Sequence, residues 1–190
     1  MTRTDTVCCD LCGSCDSRQL HKLSDAYFNL PGEFLLQECT SCGLVYLSPR
    51  PTHESLGNFY PDQYDNYQHR AVADERFFLM RWMRQQKLTQ RRCFVERQWG
   101  RNPGRLLDVG CSTGLFLNEM QEHGWEVLGL EPSAQAAGYA RQRFGITVWE
   151  HELLSAPIPL SSLGVVSFWD VLEHTFSPRE QLDRVAKLLK

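Results

Sequence analysis

Two C-x2-C pairs, Cys9-Asp10-Leu11-Cys12 and Cys39-Thr40-Ser41-Cys42, carry the most specific chemistry in this chain. Each spacing forms a tight knuckle that turns both sulfurs toward one point. Two knuckles supply four thiolates for a tetrahedral zinc ion. Gly13 and Gly43 follow the second cysteine of each pair, where a turn often needs a positive φ. The interval between the pairs is longer than the usual zinc pattern, and an intervening hairpin would absorb the difference. The first pair has more than one register, because Cys8 and Cys15 flank it and Cys12-Gly13-Ser14-Cys15 is also C-x2-C. Cys9 and Cys12 are preferred, since Cys12-Gly13-Ser14 then parallels Cys42-Gly43-Leu44. Four free buried thiols or a redox pair is the competing reading. A closed four-thiolate site leaves no open coordination position, so the expected zinc is structural. Cys93 and Cys111 fall outside the set and are expected to be ordinary buried small residues.

The second concentration of chemistry is Leu106-Leu107-Asp108-Val109-Gly110-Cys111-Ser112-Thr113-Gly114. An apolar run enters a turn of small residues and then a helix. Gly110 and Gly114 let a ligand approach the backbone, and the helix N-terminus offers N–H groups. Glu131 ends the next strand, where a carboxylate can accept hydrogen bonds from both hydroxyls of a ribose. A dinucleotide would also suit these features, but its fingerprint needs three glycines at fixed spacing. Ser112 and Leu115 stand at the second and third of those positions. Asp108 would repel a pyrophosphate. A ligand with an ammonium or sulfonium group suits that carboxylate. S-adenosylmethionine has a ribose, an amino acid tail, a sulfonium and no phosphate.

Leu107 to Gly114 resembles motif I of class I S-adenosylmethionine-dependent methyltransferases. Leu128-Gly129-Leu130-Glu131-Pro132-Ser133 resembles motif II, and Trp169-Asp170-Val171-Leu172-Glu173-His174 is similar to the segment after strand 4. The cysteine pairs with Gly43-Leu44-Val45-Tyr46-Leu47-Ser48-Pro49-Arg50-Pro51 resemble the zinc-ribbon extension of some bacterial members. The resemblance implies that Asp108 and Gly110, with Cys111, Ser112 and Gly114 of the same turn, line the cofactor. It implies Glu131 on the ribose, Glu152 on the adenine, and Trp169 to His174 beside the transferring methyl. His174 is then the candidate general base, a side chain that titrates near neutrality. The alternative is that Glu173 and His174 orient a loop. The implied activity is methyl transfer to a small-molecule or glycan-intermediate acceptor. A second reading is a non-catalytic zinc-ribbon interaction protein with a degraded nucleotide fold. A third, a nicotinamide-dependent oxidoreductase, is disfavoured by the glycine spacing.

The elements that must hold these residues are legible in the pattern of apolar residues. After Gly104, apolar strands at 105–109, 126–130, 146–149 and 165–169 alternate with helical stretches at 114–123, 133–144 and 178–189. That alternation predicts an α/β fold, a Rossmann-like parallel sheet with flanking helices, incomplete at strands 1–4. A helix is expected from about Asp74 to Trp99, and brief strands at 34–36 and 44–46. Tyr60, Tyr64 and Tyr67 line an acceptor pocket or pack between modules. The expected domains are a four-cysteine zinc-ribbon-like module at 1–50, a linker and helical segment at 51–100, and the cofactor-binding domain from 101 to 190.

Composition narrows the partners. The net charge is −3 and the pI about 6.1, which gives no global case for nucleic acid. The basic run Arg81, Arg84, Lys87, Arg91, Arg92 reads as the solvated face of a helix. No long apolar run or signal core is present, so the chain is expected to be cytoplasmic and without a membrane. Gly164 stands where strand 4 of the family carries an acidic residue, and is expected to weaken that strand. With strand order 3-2-1-4 and an end at Lys190, strand 4 becomes an apolar edge. A truncated or fragmentary product, poorly soluble alone, or a partner strand or oligomer covering that edge, is therefore expected.

Overall fold

The computed structural model describes residues 3–24, 33–56, 78–100 and 102–190. Tyr60, Tyr64, Tyr67, His69 and the expected helix start at Asp74 lie outside the described residues. The chain divides into two compact units, Met1–Tyr67 and Gln68–Lys190. The helix read within a 51–100 segment therefore groups with the second unit.

The first unit holds β1 (Thr4–Asp5), β2 (Ser17–Leu23), β3 (Phe34–Cys39), β4 (Val45–Leu47) and β5 (Arg50–Pro51). β2, β3 and β4 form an antiparallel sheet, and β1 pairs with β5. β2 has no apolar run and lies mostly exposed, so its strand state comes from pairing with β3, from Ser17↔Cys39 to Leu23↔Phe34. This hairpin occupies the interval between the cysteine pairs. Backbone is pinned here by buried hydroxyls. Ser48 Oγ accepts from Val7 N–H and donates to Val7 O, both at 3.1 Å. Ser55 Oγ donates to Arg3 O at 2.7 Å.

The second unit holds α1 (Phe78–Trp99), β6 (Arg105–Val109), α2 (Leu115–Glu122), β7 (Glu126–Leu130), α3 (Ala134–Phe144), β8 (Thr147–Trp149), β9 (Val165–Phe168) and α4 (Pro178–Leu188). The sheet is wholly parallel in the order β8-β7-β6-β9. Alternate side chains of a strand face opposite sides, and β6 shows the result. Leu106 packs with Val95, Phe116, Leu117 and Met120, whereas Leu107 and Val109 pack with Leu153, Leu163 and Leu188. Helix ends follow local chemistry. Ser133 caps α3 by accepting from Ala136 N–H, Gly145 stops it at φ 67°, and Pro178 opens α4.

Two expectations change. Arg91 and Arg92 are not on a solvated face: their side chains are 19% and 16% exposed. Arg92 pairs with Glu119 of α2 at 3.0 Å and with Glu96 at 2.7 Å, and Gln85 also donates to Glu119. A buried carboxylate needs such partners, and these tie α1 to α2. Gly164 is likewise not a simple weak point. A Cβ there would come within 2.8 Å of the Trp99 ring, so the missing side chain makes room for the indole.

β9 has β6 on one side. On the other, among the described residues, runs a groove of about 450 Å³ lined by Phe94, Val95, Trp99, Val165 and Phe168 among others. Leu189 forms a parallel bridge with Leu163 at its start. No described helix is long and apolar enough to cross a membrane.

Candidate functional site

The two cysteine knuckles are built alike. Cys9 N–H donates to Ser14 O and Gly13 N–H to Cys9 O; Cys39 N–H donates to Leu44 O and Gly43 N–H to Cys39 O. Gly13 and Gly43 have φ of 77° and 78°, a conformation that an L side chain would strain. The knuckles bring the ligand atoms of Cys9, Cys12, Cys39 and Cys42 within 4.8 Å of one another. Cys9 Sγ lies 3.5 Å from Cys42 Sγ, and Cys12 Sγ 3.5 Å from Cys39 Sγ. Bonds of about 2.3 Å to a tetrahedral zinc would separate the sulfurs by about 3.8 Å, so the donor set fits that ion. Burial opposes ionisation of Cys39. Hydrogen bonds from the N–H groups of Cys42 and Ser41 and from the Cys12 and Cys42 thiols outweigh it, bringing the thiol down to about 6. The remaining pair, Cys8 and Cys15, is joined in a disulfide that brackets the first knuckle. Sequence reasoning, which named Cys8 and Cys15 only as flanking the first pair and offering another register, did not foresee it.

In the second unit, β6 delivers Asp108 to the end of the sheet and into the interior, 3% exposed. Its β9 neighbour Ser167 donates to Asp108 Oδ1 at 2.6 Å. Burial pushes the Asp108 carboxyl up to about 7. The Ser167 hydroxyl and the Arg91 charge work against that rise, and the nearby Glu131 adds to it. Glu131, 9% exposed, accepts from Ser112 N–H at 2.8 Å and from Ser133 N–H at 2.9 Å. One bond to each oxygen leaves acceptor capacity on both.

The turn between them decides between ligand classes. Gly110 and Cys111 N–H both donate to Leu130 O, Ser112 N–H to Glu131, and Gly114 N–H to Cys111 O. Those four donors, which a pyrophosphate would need, are spent inside the protein. The N–H groups expected to be offered at the helix N-terminus are a separate set, those of the first turn of α2 from Leu115. The glycines have packing duties instead. At φ 70° and 76°, Cβ atoms on Gly110 and Gly114 would come within 2.6 Å of Val171 and 2.7 Å of Ala140. Cys111 turns its thiol into the core, where a Cβ on Gly129 would meet it at 2.5 Å, and burial raises its pKa. Its side chain therefore faces the core, and its backbone is what the turn uses.

A family model described as a methyltransferase domain matches residues 79–190, more than half of the chain. The chain belongs to the methyltransferase domain family. Similar curated proteins include the ubiquinone biosynthesis O-methyltransferases of Azoarcus sp. strain BH72 and Burkholderia vietnamiensis, 32% and 34% identical over 93 residues. Each match covers 45% of this chain and 40% of the relative. Among solved structures, magnesium protoporphyrin IX methyltransferase from Synechocystis PCC 6803, with bound S-adenosylhomocysteine, shares the fold. Its TM-score is 0.57 at 19% identity, covering 71% of this chain and 67% of that one.

Beyond the turn, the methyltransferase domain distributes the other expected residues unevenly. Trp169 follows β9, half-buried, with Phe116 edge-on at 5.4 Å, and its indole N–H is buried with no acceptor among the described residues. His174 is exposed in a short helical turn, Leu172–His174. Glu152 has an exposed side chain, while its carbonyl accepts from Ser155 and Ala156 N–H. Cys93 is exposed, not buried, because it falls on the outer face of α1. Sequence reasoning missed Ser167 and Arg91 at this site, and named Asp170 only as part of the segment Trp169 to His174. For Arg91 a signal existed: it shares a helical stripe with Leu88 and Val95, the apolar residues of α1 that reach the core.

Proposed function

We propose that the second unit binds S-adenosylmethionine and serves methyl transfer to a small-molecule acceptor, a glycan intermediate being the narrower alternative. We further propose that the cysteine cluster holds a structural zinc ion. The observation that carries the first reading is the spent turn beside a braced Glu131. A phosphate would find no free N–H at four of its positions, whereas ribose hydroxyls would find two carboxylate oxygens with capacity left. Asp108 adds a carboxylate suited to a cationic amino acid tail. S-adenosylmethionine, when bound, supplies the electrophilic methyl group.

The chain's own residues then have separable tasks. Glu131 holds the ribose and is itself held by Ser112 and Ser133. Asp108 offers charge to the amino acid end. Glu152 is the candidate for the adenine edge. Val171, packed on Gly110, sets the wall after β9, and His174 is the candidate to take the acceptor's proton. The chain spans about 40% of the length of the curated relatives it matches, so acceptor and activity are read from this part alone.

The test is calorimetric titration of S-adenosylhomocysteine into the zinc-loaded chain, beside Glu131→Ala. Binding that the variant loses by tenfold or more, about 1.4 kcal/mol, supports the reading. A folded chain that binds no S-adenosylhomocysteine at millimolar concentration sinks it.

A further inference from the structure

Arg91 of α1 touches the segment after β9. Its Nη2 donates to Asp170 Oδ2 at 2.8 Å. Its guanidinium carbon lies 4.6 Å from the centre of the Trp169 ring, a cation–π stack. Its side chain is 19% exposed, while that of Asp170 is 76% exposed. Asp170 is held in the left-handed region at φ 59°, which is costly for a residue other than glycine. The next residue, Val171, is the one that fills the space over Gly110.

We propose that Arg91 is a positioning residue of the cofactor site, latching the Trp169–Asp170 turn with its planar face and fork while presenting its charge toward Asp108 at the end of β6. The proposal rests on the cofactor reading above for its functional meaning, but its physical content does not. One side chain touches two successive residues of the turn after β9. The stack and the ion pair hold the turn that places Val171 against the glycine loop. The charge of the same guanidinium also acts on the buried Asp108 carboxyl, which accepts from the Ser167 hydroxyl of β9 and lies near the Cys111 thiol of the turn and the like charge of Glu131 at the end of β7. Removing the cation leaves only the Ser167 hydroxyl to oppose burial and Glu131, so the Asp108 proton is held to higher pH. A cationic ligand then binds well only at a more alkaline pH. Lysine in its place would keep the charge but lose the planar stack and the rigid fork.

The experiment uses Arg91→Gln, Arg91→Lys and, as a control on the same helix, Arg92→Gln, whose partner Glu119 lies in α2. The first arm follows the Asp108 side-chain carboxyl by carbon-13 NMR without ligand, assigned with Asp108→Asn. Arg91→Gln is expected to move its titration upward by about one pH unit, with Arg91→Lys and Arg92→Gln leaving it near the wild type. The second arm measures S-adenosylhomocysteine affinity from pH 6 to 9. Arg91→Gln should displace the pH at which affinity rises by the same amount, and Arg91→Lys should weaken affinity several-fold at every pH while shifting the Trp169 indole N–H resonance. An unchanged Asp108 titration in Arg91→Gln overturns the proposal, as does an equal shift in Arg92→Gln. If Asp108 moves as expected but the wild type binds no S-adenosylhomocysteine, the link from Arg91 to Asp108 stands and the cofactor reading falls.

Discussion

The two units of this chain reach order by different physical means. In the first, the buried residues among those described are Cys9, Cys39, Ser48 and Ser55. No buried aliphatic or aromatic side chain stands among them, and β2 is exposed almost throughout. Such a segment cannot offset its backbone entropy by apolar burial, so the proposed zinc and the Cys8–Cys15 disulfide would supply the difference. In the second, two apolar clusters sandwich a parallel sheet, with Leu106, Leu107, Leu117, Met120 and Leu163 fully buried. That unit has packing to spare, and it uses some of it on a buried carboxyl, Asp108. The four-cysteine unit has no such reserve among its described residues.

The contrast predicts a large effect first. Stripping metal with a chelator under reducing conditions should collapse the dispersed NMR signals of residues 3–56 while those of 102–190 persist. The apparent contribution of a structural zinc is about 10–16 kcal/mol. A first unit that stays folded without metal would remove the basis of the comparison.

Asp108 comes next. Its folded carboxyl sits at about 7 against an ordinary value near 3.8. Between those values the folded state holds a proton that the unfolded chain has released. Stability is therefore highest below the lower value, declines as pH rises through the window, and has lost its full share above 7. Three units correspond to about 4 kcal/mol as an upper figure. Asp108→Asn should flatten this decline in urea unfolding curves at pH 4 to 8, and parallel slopes for both proteins would contradict it.

A core truncation should cost the second unit alone. Leu106→Ala removes a fully buried side chain and should lower its unfolding free energy by about 3 kcal/mol. Metal content, read by a colorimetric thiol-displacement assay, should not change; loss of metal in step with stability would mean the units do not fold separately. The smallest expected effect is at Gly164. An alanine Cβ would press on the Trp99 ring at 2.8 Å, so Gly164→Ala should destabilise by about 1–2 kcal/mol and perturb the Trp99 indole signal. A stabilising outcome would mean that the indole moves freely.

Legibility followed the range of the interaction. β6, β7, α3 and α4 were readable within a residue or so, because the signals are local: short apolar runs for the strands, and for the helices a Pro-Ser start at Ser133 and a proline start at Pro178. The cysteine register was readable because Gly13 and Gly43 repeat one local turn. β2 was not, since a polar segment becomes a strand only through its partner β3. Nor was the Cys8–Cys15 disulfide, which depends on two cysteines meeting across a knuckle.

From residue types and spacing alone came the α/β class, the four-thiolate set and the pairing of Asp108 with Glu131 across a glycine turn, since each is written in short-range pattern. Folding settled what those groups face. Ser112 N–H turned to Glu131 and away from any phosphate, Gly164 lay under Trp99, and Arg91 reached inward to Trp169 and Asp170. Those outcomes join residues far apart in the chain, and no local pattern specifies which distant side chain will fill a space or take up a charge.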